Sequence, residues 1–414
     1  MFPDIDNIVH VYAPQGNELQ THLALIEQYN NRVQNSTCWY EELYSGADFI
    51  DKMLEERKGN LVVLAGNNRQ KIDYISKSID AGLNVLADKP MIINRNGFRK
   101  LKQAFVMAEK NDVLLYDIMT ERYEITNILQ KEFAQLDALF GELVEGSIEE
   151  PSITKESVHH FYKHVSGKPL VRPYWFFDVE QQGEGIVDVT THLVDLVQWT
   201  SFPDQIIDYL KDIKLLSANR WPTVINCVQF EQITGLATIP EQLNKYLNSN
   251  DELVVFANGE INYILNGVHV KVLVEWNFRA LDGAGDTHYS VMRGSRANLI
   301  IKQGKEQNYK PVLYVEACIY KRIANFEQTL NDAARQIAKQ YQGISVTKES
   351  DGLYKINIPD NLVTSHEEHF AQVVNKYLSF IKAKKMPGWE IPNILAKYYV
   401  TTRALEMATT TNSY

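Results

Sequence analysis

Two stretches carry residue types whose spacing suits proton-transfer chemistry. In Gly82-Leu83-Asn84-Val85-Leu86-Ala87-Asp88-Lys89-Pro90 an apolar run ends on a lysine followed by proline. A lysine in a partly dry cleft loses proton affinity and can donate or relay a proton. The proline pushes Lys89 out of the helical region and permits a cis Lys89-Pro90 bond. Position alone also allows an ordinary surface lysine. The second stretch, Gly183 to Trp199, spaces Asp188, His192 and Asp195 so that they share one face of a helix, with Leu193, Val194, Leu196 and Val197 on the buried side. A carboxylate beside an imidazole raises its pKa and orients it, which makes an acid–base pair near neutral pH. The alternative is an amphipathic helix capped by Asp188 with a hydrogen-bonded His192. No further His or Cys lies at ligand spacing, so no metal is expected.

These residues need elements to position them. Ile8 to Ala13 reads as a strand, Glu18 to Tyr29 as a helix, and Ala47 to Arg57 as another. Leu61 to Ala65 is a strand-length run apolar on both faces, as a buried parallel strand requires. A helix over 69–81, a strand over 84–87, a helix over 97–111 and a strand over 113–116 continue the rhythm. Strands alternating with helices predict a parallel α/β sheet. Its ligands would sit beyond the strand ends at 13–15, 66–68, 88–90 and 117–120.

From Glu121 the rhythm changes. A helix to about Leu139 precedes strand-like runs at 253–256, 269–278, 289–292 and 297–302, with helical patterns over 316–341 and 367–384. The expected fold is therefore an α/β unit over 1–121 followed by an α+β unit over 122–414 with a mixed or antiparallel sheet. His159, His160 and His164 read as an exposed loop rather than a metal site. Gly283-Ala284-Gly285-Asp286 lacks the strand-to-helix context of a phosphate loop. Tyr174 to Phe177 is either core or a sugar-facing wall.

Composition narrows the function. Of 414 residues, 42 are Lys or Arg and 52 are Asp or Glu, a net charge of −10. A nucleic-acid protein would need a basic face instead. Cys38, Cys227 and Cys318 are odd in number and far apart, so they read as packing residues rather than disulfides or thiolate ligands. No apolar run approaches the length of a membrane span, and Met1 to Asp6 does not read as a signal peptide.

Together these stretches resemble the Gfo/Idh/MocA family of nicotinamide-dependent oxidoreductases. Leu61 to Asn68 followed by Ile72 to Pro90 is similar to the family's strand, loop, helix and "AGxxVxxEKP" segment. Tyr116 to Tyr123 resembles the strand leaving the Rossmann domain, and Asp188 to Trp199 the "DxGxHxxDxxxW" helix. The resemblance implies a Rossmann domain, a large open sheet in the second domain and a homo-oligomer formed through that sheet. It implies NAD or NADP as cofactor, bound by Ala65, Gly66, Asn67, Asn68, Asp88 and Lys89. The implied substrate is a sugar, polyol or sugar derivative, contacted by Arg122, Asp188 and His192.

In that scheme His192 takes the hydroxyl proton, Lys89 polarises the same oxygen, and Asp188 orients His192 or holds the substrate. Asp88 stands where the family has Glu, Gly66-Asn67 replaces Thr-Pro, and Lys71 stands where histidine is common. The family's first strand and Gly-rich loop have no counterpart ahead of Ile8, so the chain reads as a fragment or as having a mis-assigned start; the alternatives are that another chain or segment fills the gap, or that cofactor binding is lost. The expected compartment is the cytoplasm, with an upstream export signal left open. Two alternatives remain: an NAD-dependent glycoside-cleaving enzyme of the same superfamily, and a non-catalytic sugar-binding relative.

Overall fold

The computed structural model describes residues 8–34, 36–165, 168–280, 284–318 and 325–411. The expected readings of Met1 to Asp6 and Gly283 lie outside them. The first half alternates β1 (Ile8–Ala13), α1 (Asn17–Asn30), β2 (Tyr40–Ser45), α2 (Phe49–Glu56), β3 (Leu61–Leu64), α3 (Lys71–Asp80), β4 (Asn84–Asp88), α4 (Arg95–Lys110) and β5 (Leu115–Ile118). All pairings here are parallel: β1 with β2, and β3 with β4 with β5. Among the described residues no strand joins β1 to β3, so the two form separate sheets. The reading of Leu61 to Ala65 as a strand buried on both faces is corrected: β3 lies at the edge of its sheet with Val63 51% exposed, and the strand so buried is β4, in the middle, where Val85, Leu86 and Ala87 are wholly buried.

The second half comprises α5 (Ile125–Ala134), β6 (Ile153–Tyr162), the short β7 (His164–Val165) and β8 (Lys168–Pro169), α6 (Thr190–Ser201), β9 (Ile213–Ile225), α7 (Cys227–Thr234), β10 (Leu253–Leu265), β11 (Val268–Arg279), β12 (Thr287–Arg293), β13 (Ala297–Gln303), β14 (Val312–Ala317), α8 (Phe326–Ile337), β15 (Ser345–Ser350), β16 (Leu353–Asn357), α9 (His366–Ala383) and α10 (Glu390–Thr411). Nine strands make one mixed sheet in the order β15-β16-β14-β13-β12-β6-β11-β10-β9. Only β6 and β11 pair in parallel within it. The fold is therefore a Rossmann-type parallel unit followed by an α+β unit with a large open sheet.

Alternation sets the sheet's faces. Val270, Val272, Leu299 and Ile301 turn inward onto Leu129, Leu193, Val197 and Val400 from α5, α6 and α10. A second core lies under the parallel strands, and the C-terminal helices return to close it. Val373, Tyr377 and Tyr398 pack there with Ile75, Leu86, Phe98 and Leu115. The Tyr377 hydroxyl donates to the carbonyls of Val85 and Leu114 at 2.9 and 2.6 Å.

Three further expectations are corrected. Residues 316–341 are not one helix, because β14 runs to Ala317 through pairing with β13 and β16, and α8 begins at Phe326. The helix read over 121–139 is a 3-10 turn at Thr120–Tyr123 followed by the shorter α5. Cys38 and Cys227 are exposed rather than packed.

Candidate active site

β4 carries Lys89 to the carboxyl end of the parallel sheet, and the Lys89-Pro90 bond is cis. Opposite stands the turn before α6. Gly183 adopts φ +93, the left-handed region that favours glycine. At Gly185 a Cβ would coincide with the Ala257 carbonyl of β10, so only glycine lets the turn lie so close. The turn ends in Asp188, whose carboxylate meets Lys89: Nζ to Oδ1 is 2.7 Å, with the side chains 18% and 9% exposed. The other oxygen, Oδ2, accepts from Gln182 Nε2 at 3.0 Å.

Burial works to strip the proton from Lys89, but Asp188 outweighs it and holds the ammonium above its ordinary pKa. Glu121, in the turn after β5, also faces Lys89. Burial raises its carboxyl pKa, and the nearby ammonium opposes that rise.

His192 lies in the first turn of α6. Asp188 precedes the helix and spends both oxygens on Lys89 and Gln182, not on His192. The expected rise in imidazole pKa is reversed. Burial first, and then the Lys89 charge, hold His192 well below its ordinary value, so the ring is neutral at physiological pH. Its Nδ1 is enclosed and has no hydrogen-bond partner among the described residues. A neutral imidazole beside an ammonium can accept a proton from a hydroxyl whose oxygen the ammonium stabilises.

Asp195 and Arg122 serve a different purpose. Arg122 grips Asp195 in two parallel bonds, Nε to Oδ2 at 2.6 Å and Nη2 to Oδ1 at 2.7 Å, and its Nη1 lies 3.2 Å from Glu390 of α10. Lys397, also from α10 and wholly buried, bridges Asp195 at 2.9 Å and Asp117 at 2.7 Å. Burial would raise the Asp195 pKa, but Arg122 and Lys397 outweigh it and hold the carboxyl below the usual range. The Arg122 fork is thus spent in a buried staple between α6, β5 and α10, which leaves it poorly placed for the expected substrate contact.

The loop after β3 divides. Ala65 and Gly66 are exposed, and Gly66 has φ +97 with nothing within 4 Å of a Cβ position. Asn67 and Asn68 are turned to the second half instead. Asn67 Nδ2 donates to Gln181 Oε1 at 2.6 Å, and Asn68 Nδ2 to the Gln182 carbonyl at 2.7 Å. Asn68 Oδ1 accepts from Lys71 Nζ at 2.6 Å, and Lys71 also donates to the Asp88 carbonyl at 3.0 Å. The Asp88 carboxylate accepts from the Lys89 amide at 2.9 Å. Lys71 is 2% exposed, and burial lowers its pKa to about 8. It shares the buried face of α3 with Ile75 and Ile79, so a lysine at apolar spacing was the signal for it. Gln182 carried no such signal.

The aromatic group splits as well. Phe177 is core, while the Trp175 indole reaches Glu18 of α1 at 2.7 Å. The Arg172 guanidinium carbon lies 4.5 Å from the Phe176 ring centre and 5.1 Å from that of Trp276. Its Nε donates to the Phe161 carbonyl at 2.9 Å. His159 and His160 belong to β6, not to a loop, and both face Asp286.

Comparison with known proteins agrees with this fold. Residues 129–409 match the family described as "Putative oxidoreductase C terminal domain". A structure described as a putative oxidoreductase from Parabacteroides merdae is 50% identical, with a TM-score of 0.97 over 100% of this chain and 94% of that one. More distant are KijD10, a 3-ketoreductase from Actinomadura kijaniata in complex with NADP and TDP-benzene, and GenD2 from gentamicin A biosynthesis in complex with NAD. KijD10 is 11% identical, with a TM-score of 0.57 over 97% of this chain and 89% of that one. GenD2 is 14% identical, with a TM-score of 0.57 over 98% and 87%. Both share the fold. No curated protein matches the sequence. No helix among the described residues is long and apolar enough to cross a membrane. By the extent of the family match and by the half-identical relative, the chain belongs to the family of oxidoreductases defined by that C-terminal domain.

Proposed function

We propose that the chain is an NAD(P)-dependent oxidoreductase that moves hydride between the nicotinamide and a hydroxyl-bearing carbon of a sugar, polyol or sugar derivative. The observation that carries this reading is the Lys89–Asp188 ion pair at the carboxyl end of β4, with the neutral His192 in its field. Ligands of parallel α/β sheets sit at those strand ends. Ala65 and Gly66 are exposed beyond the end of β3, and Asp88 and Lys89 stand at the end of its parallel neighbour β4, the strand ends where this reading seats the dinucleotide. When bound, the nicotinamide supplies the hydride acceptor or donor. His192 accepts the hydroxyl proton. Lys89 donates to the oxygen and stabilises its developing negative charge, while Asp188 keeps Lys89 charged and aimed.

The division into a dinucleotide-binding unit (1–121) and a substrate and oligomerisation unit (122–414) goes with this proposal, α9 and α10 being lent to the first core. The sheet face turned away from α5 and α6 carries Val158, Leu273 and Tyr289 beside Glu156, Glu275 and Lys302. We place the subunit contact there, and a single-chain mass by light scattering would refute it. Soluble expression with a cytoplasmic marker pattern is expected, and secretion of the native protein would overturn that expectation.

The test of function is a panel of aldoses, disaccharides and polyols incubated with NAD or NADP. Reduced nicotinamide should accumulate in step with substrate loss. Sugar release from a glycoside without that accumulation would point to the bond-cleaving alternative. Binding of sugar with no turnover of any kind would point to the non-catalytic one.

A further inference from the structure

Six hydrogen bonds close a ring around the candidate site. Lys71 Nζ donates to Asn68 Oδ1 at 2.6 Å and to the Asp88 carbonyl at 3.0 Å. Asn68 Nδ2 donates to the Gln182 carbonyl at 2.7 Å, and Gln182 Nε2 to Asp188 Oδ2 at 3.0 Å. Lys89 Nζ donates to Asp188 Oδ1 at 2.7 Å, and the Lys89 amide returns to Asp88 Oδ1 at 2.9 Å. The ring ties three separate stretches of chain: the loop after β3, the end of β4 and the turn before α6.

A carboxylate rotates easily about its last bond, since that torsion has only a broad, twofold preference. One partner at Oδ1 does not fix it; a second at Oδ2 does. Gln182 is that second partner. Its own backbone is held by Asn68, and Asn68 is held by Lys71, a buried lysine with no carboxylate within ion-pair distance among the described residues. We propose that Gln182 and Lys71 are positioning residues that aim the Asp188 carboxylate at Lys89, and so couple the loop after β3 to the acid–base pair. The inference rests on the reading of Lys89, Asp188 and His192 as the reacting group. Its structural half is testable without substrate.

The probe is acetic anhydride, with the rate of Lys89 acetylation followed by peptide mass spectrometry across pH. Only the free amine reacts, so the pH midpoint reports how firmly Lys89 holds its proton. The titratable groups facing it are Asp188, Asp88, Glu121 and the neutral His192, with Lys71 behind. Lys211, 81% exposed, is the internal reference.

In Gln182→Ala the Asp188 carboxylate loses its second anchor, and the midpoint should fall by about one pH unit, the size of one hydrogen bond to a charged group. Lys71→Met should move it in the same direction, with melting temperatures close to the wild type: burial lowers the Lys71 pKa to about 8, so that amine is already neutral where Lys89 releases its proton, and the substitution removes a hydrogen bond rather than a charge. If Lys71→Met does not fold, Gln182→Ala alone decides. A Lys89 midpoint unchanged in Gln182→Ala overturns the inference.

Turnover tests the other half. With the sugar found in the panel, kcat should fall about tenfold in Gln182→Ala while KM stays within about twofold, as expected when only the alignment of the reacting groups is lost. Failure of the wild type to reduce any nicotinamide would refute the enzymatic reading while leaving the acetylation result to judge the ring.

Discussion

Replacing Lys397 by Met tests the buried staple that fixes α6 beneath the candidate site. Lys397 is wholly buried, and its Nζ lies 2.7 Å from Asp117 and 2.9 Å from Asp195, carboxylates only 1% and 2% exposed. Removing it does not harm both equally. Asp195 keeps two bonds from Arg122 at 2.6 and 2.7 Å. Among the described residues Asp117 keeps only the Tyr398 hydroxyl at 3.2 Å, and its Oδ1 already lacks a partner. The cost therefore falls on Asp117, left as an uncompensated charge in the core. Breaking such a pair from one side costs about 3–5 kcal/mol. Adding Asp117→Asn removes the stranded charge and should recover more than half of that loss. The assay is urea unfolding of the wild type, Lys397→Met and the double variant, followed by circular dichroism. The reasoning fails if the single variant lies within about 1 kcal/mol of the wild type, or if the double variant is no more stable than the single one.

His192→Asn should remove turnover while leaving dinucleotide affinity, read by nicotinamide fluorescence, nearly unchanged. Because burial holds the ring neutral, the wild-type pH–rate profile should show no limb near the ordinary histidine value of about 6.5; a limb there would contradict the neutral ring. His288, whose pKa burial lowers to about 3, binds its proton in the unfolded chain but not in the folded one between pH 3 and about 6.5. Stability should thus fall as pH drops through that window, and His288→Gln should flatten the fall; an unchanged slope would refute the assignment. Gly185→Ala should unfold the turn before α6 or prevent soluble expression, since the new Cβ meets the Ala257 carbonyl. A normal melting temperature would show that β10 and the turn can part.

The features legible in the sequence were the local ones. β4 is legible because a strand buried on both faces is apolar at every position, and Lys89 as the charge that ends such a run; β3 is as apolar in sequence but lies at the sheet edge, which its composition does not reveal. Asp188 and His192 are legible through spacing alone. Their electrical relation is not, because it depends first on the burial of His192 and then on Lys89, 99 positions before Asp188, which takes the carboxylate and adds its own charge. Arg122 misled for the same reason: Glu390 and Lys397, which with Asp195 define its surroundings, lie far along the chain on α10. That helix was missed altogether. It packs against α6, β9 and α4, so its apolar residues do not fall on a single stripe, and it buries Lys397 and Thr401 besides. The helix pattern read from Glu316 starts too early, because pairing with β13 and β16 carries β14 on to Ala317.

The most direct test of the central claim compares the wild type with Lys89→Ala for nicotinamide reduction on the same sugar. Dinucleotide binding is measured in parallel. The account predicts reduced nicotinamide formed in step with substrate loss by the wild type, and a fall of about 100- to 10,000-fold in the variant, with dinucleotide binding retained. Equal rates in the two proteins, or a wild type that consumes the sugar without forming reduced nicotinamide, would contradict it.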